Sequence, residues 1–226
     1  MSENDPSGTA ETRSKVRTSP SRMADRVHVD TRLLHELLDG SVLGHVGFVS
    51  DGGQPVVLPI AIARDGDRVL LHGSTGSRWL RLLATGIPVS LAVTALDALV
   101  VARSAFESSM RYRSAVLFGS CRPVTEPEAK LHALDLLTDA LIPGRVAELR
   151  RPSGKELAAT LVLAMTVEDY TVKVAQNWPD DPAEDVAGPA WAGVLPLRTG
   201  YSEAWPAPDL APGIERPESV RRLLGG

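Results

Sequence analysis

The spacing of apolar positions changes twice along this chain, and each change marks a different kind of element. Met1 to Asp25 carries almost no large apolar side chain, so it cannot bury enough surface to offset its ordering entropy and is expected to be disordered. A helical stripe follows at Leu33, Leu34, Leu37 and Leu38, with Asp30 placed as its N-cap and Gly40 placed to end it in a left-handed conformation. From Ser41 the period drops to two. Strands are predicted over Val42 to Val49, Pro55 to Ala63 and Arg68 to His72, joined by turns at Asp51-Gly52-Gly53 and Asp65-Gly66. A short helix over 78–85 separates these from further β segments at Pro88 to Thr94, Ala98 to Phe106 and Tyr112 to Val124. Thr125-Glu126-Pro127-Glu128 reads as a capping box, opening a helix with an apolar stripe at Leu131, Leu134, Leu137 and Leu141 that Pro143-Gly144 stops. A polar helical stretch from Arg145 to Lys155 precedes strands at Thr160 to Val167 and Tyr170 to Ala175.

Several of the strands are apolar on both faces. That suits the wall of a small barrel whose outside is covered by helices or by a second subunit. The predicted class is therefore mainly β with helices (α+β), a barrel of six to eight strands. A dinucleotide-binding α/β sheet is excluded, because no G-x-G-x-x-G follows the first strand and strands do not alternate with helices. The last 51 residues hold eight of the 17 prolines and three of the four tryptophans, Trp178, Trp191 and Trp205. This mixture is too apolar for a free linker and too broken for regular structure, and it predicts an extended arm lying on the body or on a neighbouring subunit. The expected organisation is a tail over 1–25, a barrel domain over 26–175 and a Pro/Trp-rich arm over 176–226.

Composition narrows the function by exclusion. A net charge of −4 and a pI near 5.8 lack the basic surplus of a nucleic-acid or anionic-membrane binder. No apolar run is long enough to span a bilayer, and the N-terminus lacks the apolar segment of a secretory signal, so a cytoplasmic location is expected. The single cysteine, Cys121, rules out an internal disulfide, and with the scattered His28, His35, His45, His72 and His132 it forms no metal-ligand spacing.

Candidate chemistry concentrates in Leu71-His72-Gly73-Ser74-Thr75-Gly76-Ser77-Arg78-Trp79. This segment leaves a strand and opens a helix, with two glycines, three hydroxyls and a guanidinium at the helix start. Free N–H groups and the positive dipole end favour an anion there, and Arg78 adds a fork suited to phosphate. It reads either as a phosphate cradle for a nucleotide-like cofactor or as an ordinary strand–turn–helix junction with Ser74 or Ser77 as N-cap.

The order of elements, with Gly44-His45-Val46-Gly47-Phe48, Pro55-Val56-Val57-Leu58-Pro59-Ile60, Leu71-His72-Gly73-Ser74 and Trp191-Ala192-Gly193-Val194-Leu195-Pro196, resembles the split β-barrel of the pyridoxamine 5′-phosphate oxidase-like flavoproteins, in the branch that includes the nitroimidazole-resistance proteins. The resemblance covers about residues 26–197. It implies a homodimer with FMN at the interface, an unidentified small organic substrate, and a flavin-dependent oxidoreductase. By it, Gly73, Ser74, Thr75, Ser77 and Arg78 hold the flavin phosphate, Leu58, Pro59, Ile60 and Ala61 run along the flavin ring, and His72, Arg113 and Ser114 face ring or substrate. His72 and Arg113 are then the catalytic candidates. Trp79 stands where the oxidase carries a lysine, so one phosphate cation is missing; Arg103, Arg111 and Arg113 are the available replacements. Ser114 stands where the oxidase has glutamine, and the oxidase's substrate-phosphate residues and C-terminal arginine motif have no counterpart. The resemblance is thus to a family member other than a true pyridoxamine phosphate oxidase.

Other residues carry two readings each. His72 is either a pocket residue or a half-buried histidine satisfied by backbone. His45, between two glycines, reads as a packed barrel residue, or as the axial ligand that a haem-binding variant would need. Arg111 and Arg113 share one strand face, either as a pair of cations facing an acidic ligand or as the charges of a solvated edge strand. Cys121 reads as a small buried hydrophobe, and the tail tryptophans as packing anchors. Beside FMN, haem and a deazaflavin (coenzyme F420) remain as cofactors, as does a flavin-binding protein without catalysis.

Overall fold

The computed structural model describes residues 27–28 and 30–225, and the disorder expected of Met1 to Asp25 falls outside them. A short strand β1 (Val27–His28) precedes helix α1 (Thr31–Asp39), followed by strands β2 (Leu43–Val49), β3 (Pro55–Asp65) and β4 (Arg68–Ser74). Helix α2 (Arg78–Leu83) leads to the long strands β5 (Pro88–Val101) and β6 (Ser109–Pro123), and helix α3 (Pro127–Leu141) and a 3-10 turn (Val146–Glu148) follow. Helix α4 (Gly154–Ala159) runs into β7 (Thr160–Ala175), after which come α5 (Ala183–Val186), β8 (Gly193–Pro196) and α6 (Glu218–Leu224). Every pairing is antiparallel. Following hydrogen bonds, β7, β4, β3, β2, β5 and β6 form a ring that closes when β6 pairs β7, with β1 added to β7 and β8 to β5.

Alternation decides which side chains fill the ring. Val46 and Phe48 of β2, Ile60 and Ile62 of β3, Val69 and Leu71 of β4, Leu91 and Val93 of β5, Leu117 of β6 and Leu163 and Met165 of β7 point inward and are buried. Leu34, Leu37 and Leu38 of α1 and Leu80 and Leu83 of α2 join the same core. Each fully buried leucine contributes about 1.5–3 kcal/mol. A second core lies outside the barrel, where Ala133 and Leu137 of α3 cover Ala63, Leu70, Val162 and Ala164. Among the described residues, the outer face of β2, β3, β5 and β8 has no such cover. Leu43, Val49, Val57, Leu96, Leu99 and Leu195 all stand exposed there.

Some boundaries differ from the pattern. The segments expected at Pro88 to Thr94 and Ala98 to Phe106 are one strand, bent by a register shift between Leu96 and Ala98. Thr160 to Val167 and Tyr170 to Ala175 are likewise one strand, against which the β6 register shifts between Phe118 and Gly119. An apolar run does not reveal a bulge, because the side chains on either side of it remain apolar. Asp30 is the N-cap of α1, its carboxylate accepting from the N–H groups of Arg32 and Leu33. Gly40 is not left-handed; its φ is −86°. The capping box is absent from Thr125 to Glu128, where Glu126 is the N-cap without a side-chain bond. It occurs instead at Ser153 and Glu156, opening α4 inside the stretch expected to be helical from Arg145 to Lys155, of which only Val146–Glu148 and the start of α4 are.

The arm is tied back at several places. β8 pairs β5 from Ala98↔Pro196 to Val101↔Gly193. The Asp181 carboxylate, with its side chain 1% exposed, accepts from the Arg103 backbone N–H and guanidinium at 2.8 and 2.9 Å. Glu148 accepts from the hydroxyl and N–H of Ser219 in α6. These bonds and Arg145 hold the Glu148 carboxyl at about 2, against an ordinary 4.5. A carboxyl lowered on folding stabilises the folded form above its unfolded value and loses that contribution as pH falls through the folded one. We expect α6 to lose its anchorage between pH 4.5 and about 2, seen as faster hydrogen exchange in 218–224. Glu148→Gln should show that fast exchange already at neutral pH; unchanged exchange in the variant would mean that apolar packing alone seats the helix. Among the described residues no helix is long and apolar enough to cross a membrane.

Candidate functional site

The barrel wall has a gap between β3 and β4. β3 pairs β4 only from Ile62↔Leu71 to Asp65↔Arg68, while His72, Gly73 and Ser74 at the other end of β4 pair β7. Pro55 to Ala61 therefore pair β2 on one edge and, among the described residues, no strand on the other. Their backbone N–H and C=O groups on that edge are free to meet a ligand. Leu58 and Ile60 point into the core, whereas Val57, Pro59 and Ala61 point out.

His72, Gly73 and Ser74 form the other lip of this gap. His72 shares the outward parity of Leu70 and opens onto a groove of about 450 Å³ beneath α3, with Leu134, Thr138, Arg150, Glu156 and Thr160 around it. Its Nδ1 is buried without a hydrogen-bond partner. Burial pushes its pKa down, so the ring is neutral at neutral pH and serves as a hydrogen-bonding group rather than an imidazolium acid. A backbone-satisfied histidine would not leave that nitrogen unpaired, and such an atom points to water or a ligand.

The turn after β4 is more self-contained than its sequence suggests. Thr75 N–H and hydroxyl both donate to the Ala159 carbonyl, Gly76 N–H donates to the Ser74 hydroxyl and Ser77 N–H to the Ser74 carbonyl. Neither Gly73 nor Gly76 has a positive φ. Gly73 is favoured by packing, since a Cβ there would lie 2.5 Å from Leu80 Cδ1 unless that side chain moved. Ser77 is the N-cap of α2 by geometry, but its hydroxyl makes no cap bond and stays available. Arg78 is 85% exposed in its side chain and only loosely tied to Asp51, at 3.5 Å. Trp79, in the lysine position, stacks on Phe48 with centroids 6.3 Å apart, so its role is to close the barrel end.

The remaining predicted residues lie elsewhere. β6 is three strands from β3 in either direction around the ring, so Arg113 and Ser114 are on the far side from the gap. Arg113 forms a two-point pair with Asp97 at 3.0 and 2.8 Å, which raises its pKa. Arg111 donates to the Asn177 carbonyl and lies 4.8 Å over Trp178. With Arg103 on Asp181, all three cations offered as substitutes for the missing lysine are engaged away from the turn. β6 is paired on both edges, so the edge-strand reading of Arg111 and Arg113 does not hold. Arg111 Nη2 and Asn177 Oδ1 are, like His72 Nδ1, buried and unpartnered.

His45 is not a packed barrel residue. Gly44, Val46 and Phe48 take the inward positions of β2, and His45 is exposed on the outer face between Pro59 of β3 and Ala92 of β5. The alternation around Val46 already carries that signal. Trp191 and Trp205 are exposed rather than anchored. Cys121 is buried, its thiol pushed up to about 12, and is inert.

A family profile described as pyridoxamine 5′-phosphate oxidase matches residues 30–174. The chain belongs to this oxidase-like family. Its ring of strands is of the family's split-barrel type. Among solved structures, a protein from Mycobacterium smegmatis described as binding FAD and haem is 50% identical, covers 88% of this chain and 97% of its own, and superposes with a TM-score of 0.83. The flavocytochrome Anf3 from Azotobacter vinelandii is 34% identical over 92% of this chain and 96% of its own, also with a TM-score of 0.83. A candidate 5-nitroimidazole antibiotic resistance protein from Bacteroides thetaiotaomicron shares the fold at 22% identity, covering 66% of this chain and 86% of its own, with a TM-score of 0.57. Comparison with curated proteins returns no match.

Proposed function

We propose that this oxidase-like protein is a homodimeric, flavin-dependent oxidoreductase acting on a small organic substrate, with haem as a second redox group. The observation that carries the flavin is the edge of β3 at 55–61, which no described strand pairs, across from the His72–Ser74 end of β4, where His72 Nδ1 is buried and unpaired. A flavin fits these residues because its ring edge can use both hydrogen-bonding senses of a free strand edge, and it would supply the hydride and electron chemistry that the side chains lack. In this reading Leu58 to Ala61 position the ring, His72 supplies a neutral hydrogen-bonding group, and Ser74, Thr75, Ser77 and Arg78 surround the phosphate. FMN follows from the sequence resemblance, whereas the Mycobacterium smegmatis relative is described as binding FAD, and FAD is the flavin we favour.

The dimer is supported by the division of the site. Two sets of candidate residues lie on opposite sides of one ring, His72 at the gap and Arg111, Arg113 and Ser114 on β6, and His72 Nδ1 and Arg111 Nη2 are buried without a partner among the described residues. The uncovered apolar face between them, with Val57 66% exposed, suits a second copy, which would bring its Arg113 and Ser114 to this chain's gap. Haem is supported by the two relatives described as a haem-binding protein and a flavocytochrome.

The deciding measurement is the absorption spectrum of protein purified without added cofactor, with chromatography of what acid releases. Flavin bands with a Soret band fit the proposal; colourless protein that takes up neither FMN nor FAD would end it. Arg78→Ala should weaken flavin binding at least tenfold, the loss of one charge-assisted contact of about 1.5–3 kcal/mol, without changing the melting temperature. Unchanged affinity would remove the phosphate from this turn.

A further inference from the structure

We infer that His45 is an axial ligand of the haem, which lies against the outer face of β2, β3 and β5. The inference rests on the haem half of the proposed function and adds where that group is held. Axial ligation needs an imidazole that is free to give a nitrogen lone pair and flat apolar surroundings that let a planar macrocycle approach it. His45 is exposed, and no described residue hydrogen-bonds its ring. Its neighbours on this face are short: Pro59 and Ala92 stand directly opposite it, and Gly47 and Ser90 form the next cross-strand pair. A Cβ on Gly47 would lie 2.8 Å from Ser90 Oγ, so that position stays bare on the same face. Beyond this floor Leu43, Val49 and Val57 form an exposed apolar rim. The result is a patch of short side chains with an apolar rim and one imidazole standing on it.

His72 is the competing imidazole and fits less well. It lies half-buried in a groove among Arg150, Glu156, Thr138 and Thr160. Position also favours His45 on functional grounds. It pairs with Pro59 of β3, the strand whose free edge is assigned to the flavin. Adjacent strands lie about 4.8 Å apart, so haem held by His45 would be a neighbour of the flavin. A second copy over this face would exclude water from both.

The test compares wild type, His45→Ala and His72→Ala, each purified after expression with added haem precursor and then titrated with hemin. Haem per chain is read by pyridine haemochrome, the ligand by electron paramagnetic resonance, flavin by absorbance and folding by circular dichroism. His45→Ala should lose more than about tenfold in haem affinity, with the haem that remains changed in spin state. His72→Ala, whatever flavin it loses, should keep a histidine-ligated haem in the resonance spectrum. Added imidazole should restore the wild-type spin state to His45→Ala, which a merely destabilised variant would not show. Wild-type haem content and spin state in His45→Ala would overturn the assignment while leaving the flavin–haem reading intact. Wild-type protein that binds flavin but no hemin would overturn the haem reading, and this assignment with it.

Discussion

Val57→Glu is expected to give a folded monomer that has lost its flavin. Val57 points out of β3, is 66% exposed and packs on nothing in the barrel core, so the substitution leaves the fold of one chain intact. Leu43, Val49, Leu96, Leu99 and Leu195 expose further apolar surface on the same side. If a second copy covers this face, a carboxylate in its midst must be desolvated without a partner, which costs several kcal/mol. A loss of about 4 kcal/mol weakens a dimer roughly a thousandfold. Flavin should then leave with the dimer, because Arg113 and Ser114 are three strands from the β3–β4 gap within one chain. Light scattering after gel filtration and the flavin-to-protein absorbance ratio test both halves. Leu141→Glu on α3, exposed but away from this face, should change neither. A Val57→Glu monomer with full flavin would show that one chain completes the site, and a Val57→Glu dimer would place the interface elsewhere.

The parts of this architecture legible in the sequence are those set by local alternation. Period-two runs located β2, β3 and β4, and the turn chemistry at Gly53 and Gly66 is met by positive φ at both. The gap that forms the candidate site was not legible, because it arises where the β3–β4 ladder ends at Ile62↔Leu71 while β4 stays paired along its whole length with β7, some ninety residues further along. Cation partners were hidden for the same reason: Asp97, Asn177 and Asp181 are remote in sequence from the arginines they engage. The turn after β4 looked like an open anion cradle since its glycines and hydroxyls suit one, yet three of its N–H groups are used within the chain. The side of β2 that His45 takes is legible from alternation alone. Once Val46 and Phe48 are taken as core, parity puts His45 outside, and its flanking glycines say nothing about burial.

Gly119→Ala is expected to destabilise the protein more than any exposed change. A Cβ at Gly119 would lie 1.9 Å from the Thr166 carbonyl oxygen and 3.1 Å from its carbon, so backbone would have to move to admit one methyl. The contrast is Gly73, where the obstructing atom is Leu80 Cδ1, the end of a side chain that can change rotamer. At Gly119 no rotamer relieves the contact, for the β6–β7 register shifts between Phe118 and Gly119 and β7 folds across this residue. A bulge sharpens strand bending, and here it occurs where β6 and β7 join to close the ring. We expect a loss on the order of 3 kcal/mol or more, about 6–12 °C in Tm, against about 1 kcal/mol for Gly73→Ala. Thermal unfolding followed by circular dichroism measures both. Equal melting of Gly119→Ala and wild type would mean that β6 and β7 part easily at this corner, and that closure of the barrel there contributes little to holding the two halves of the site in place.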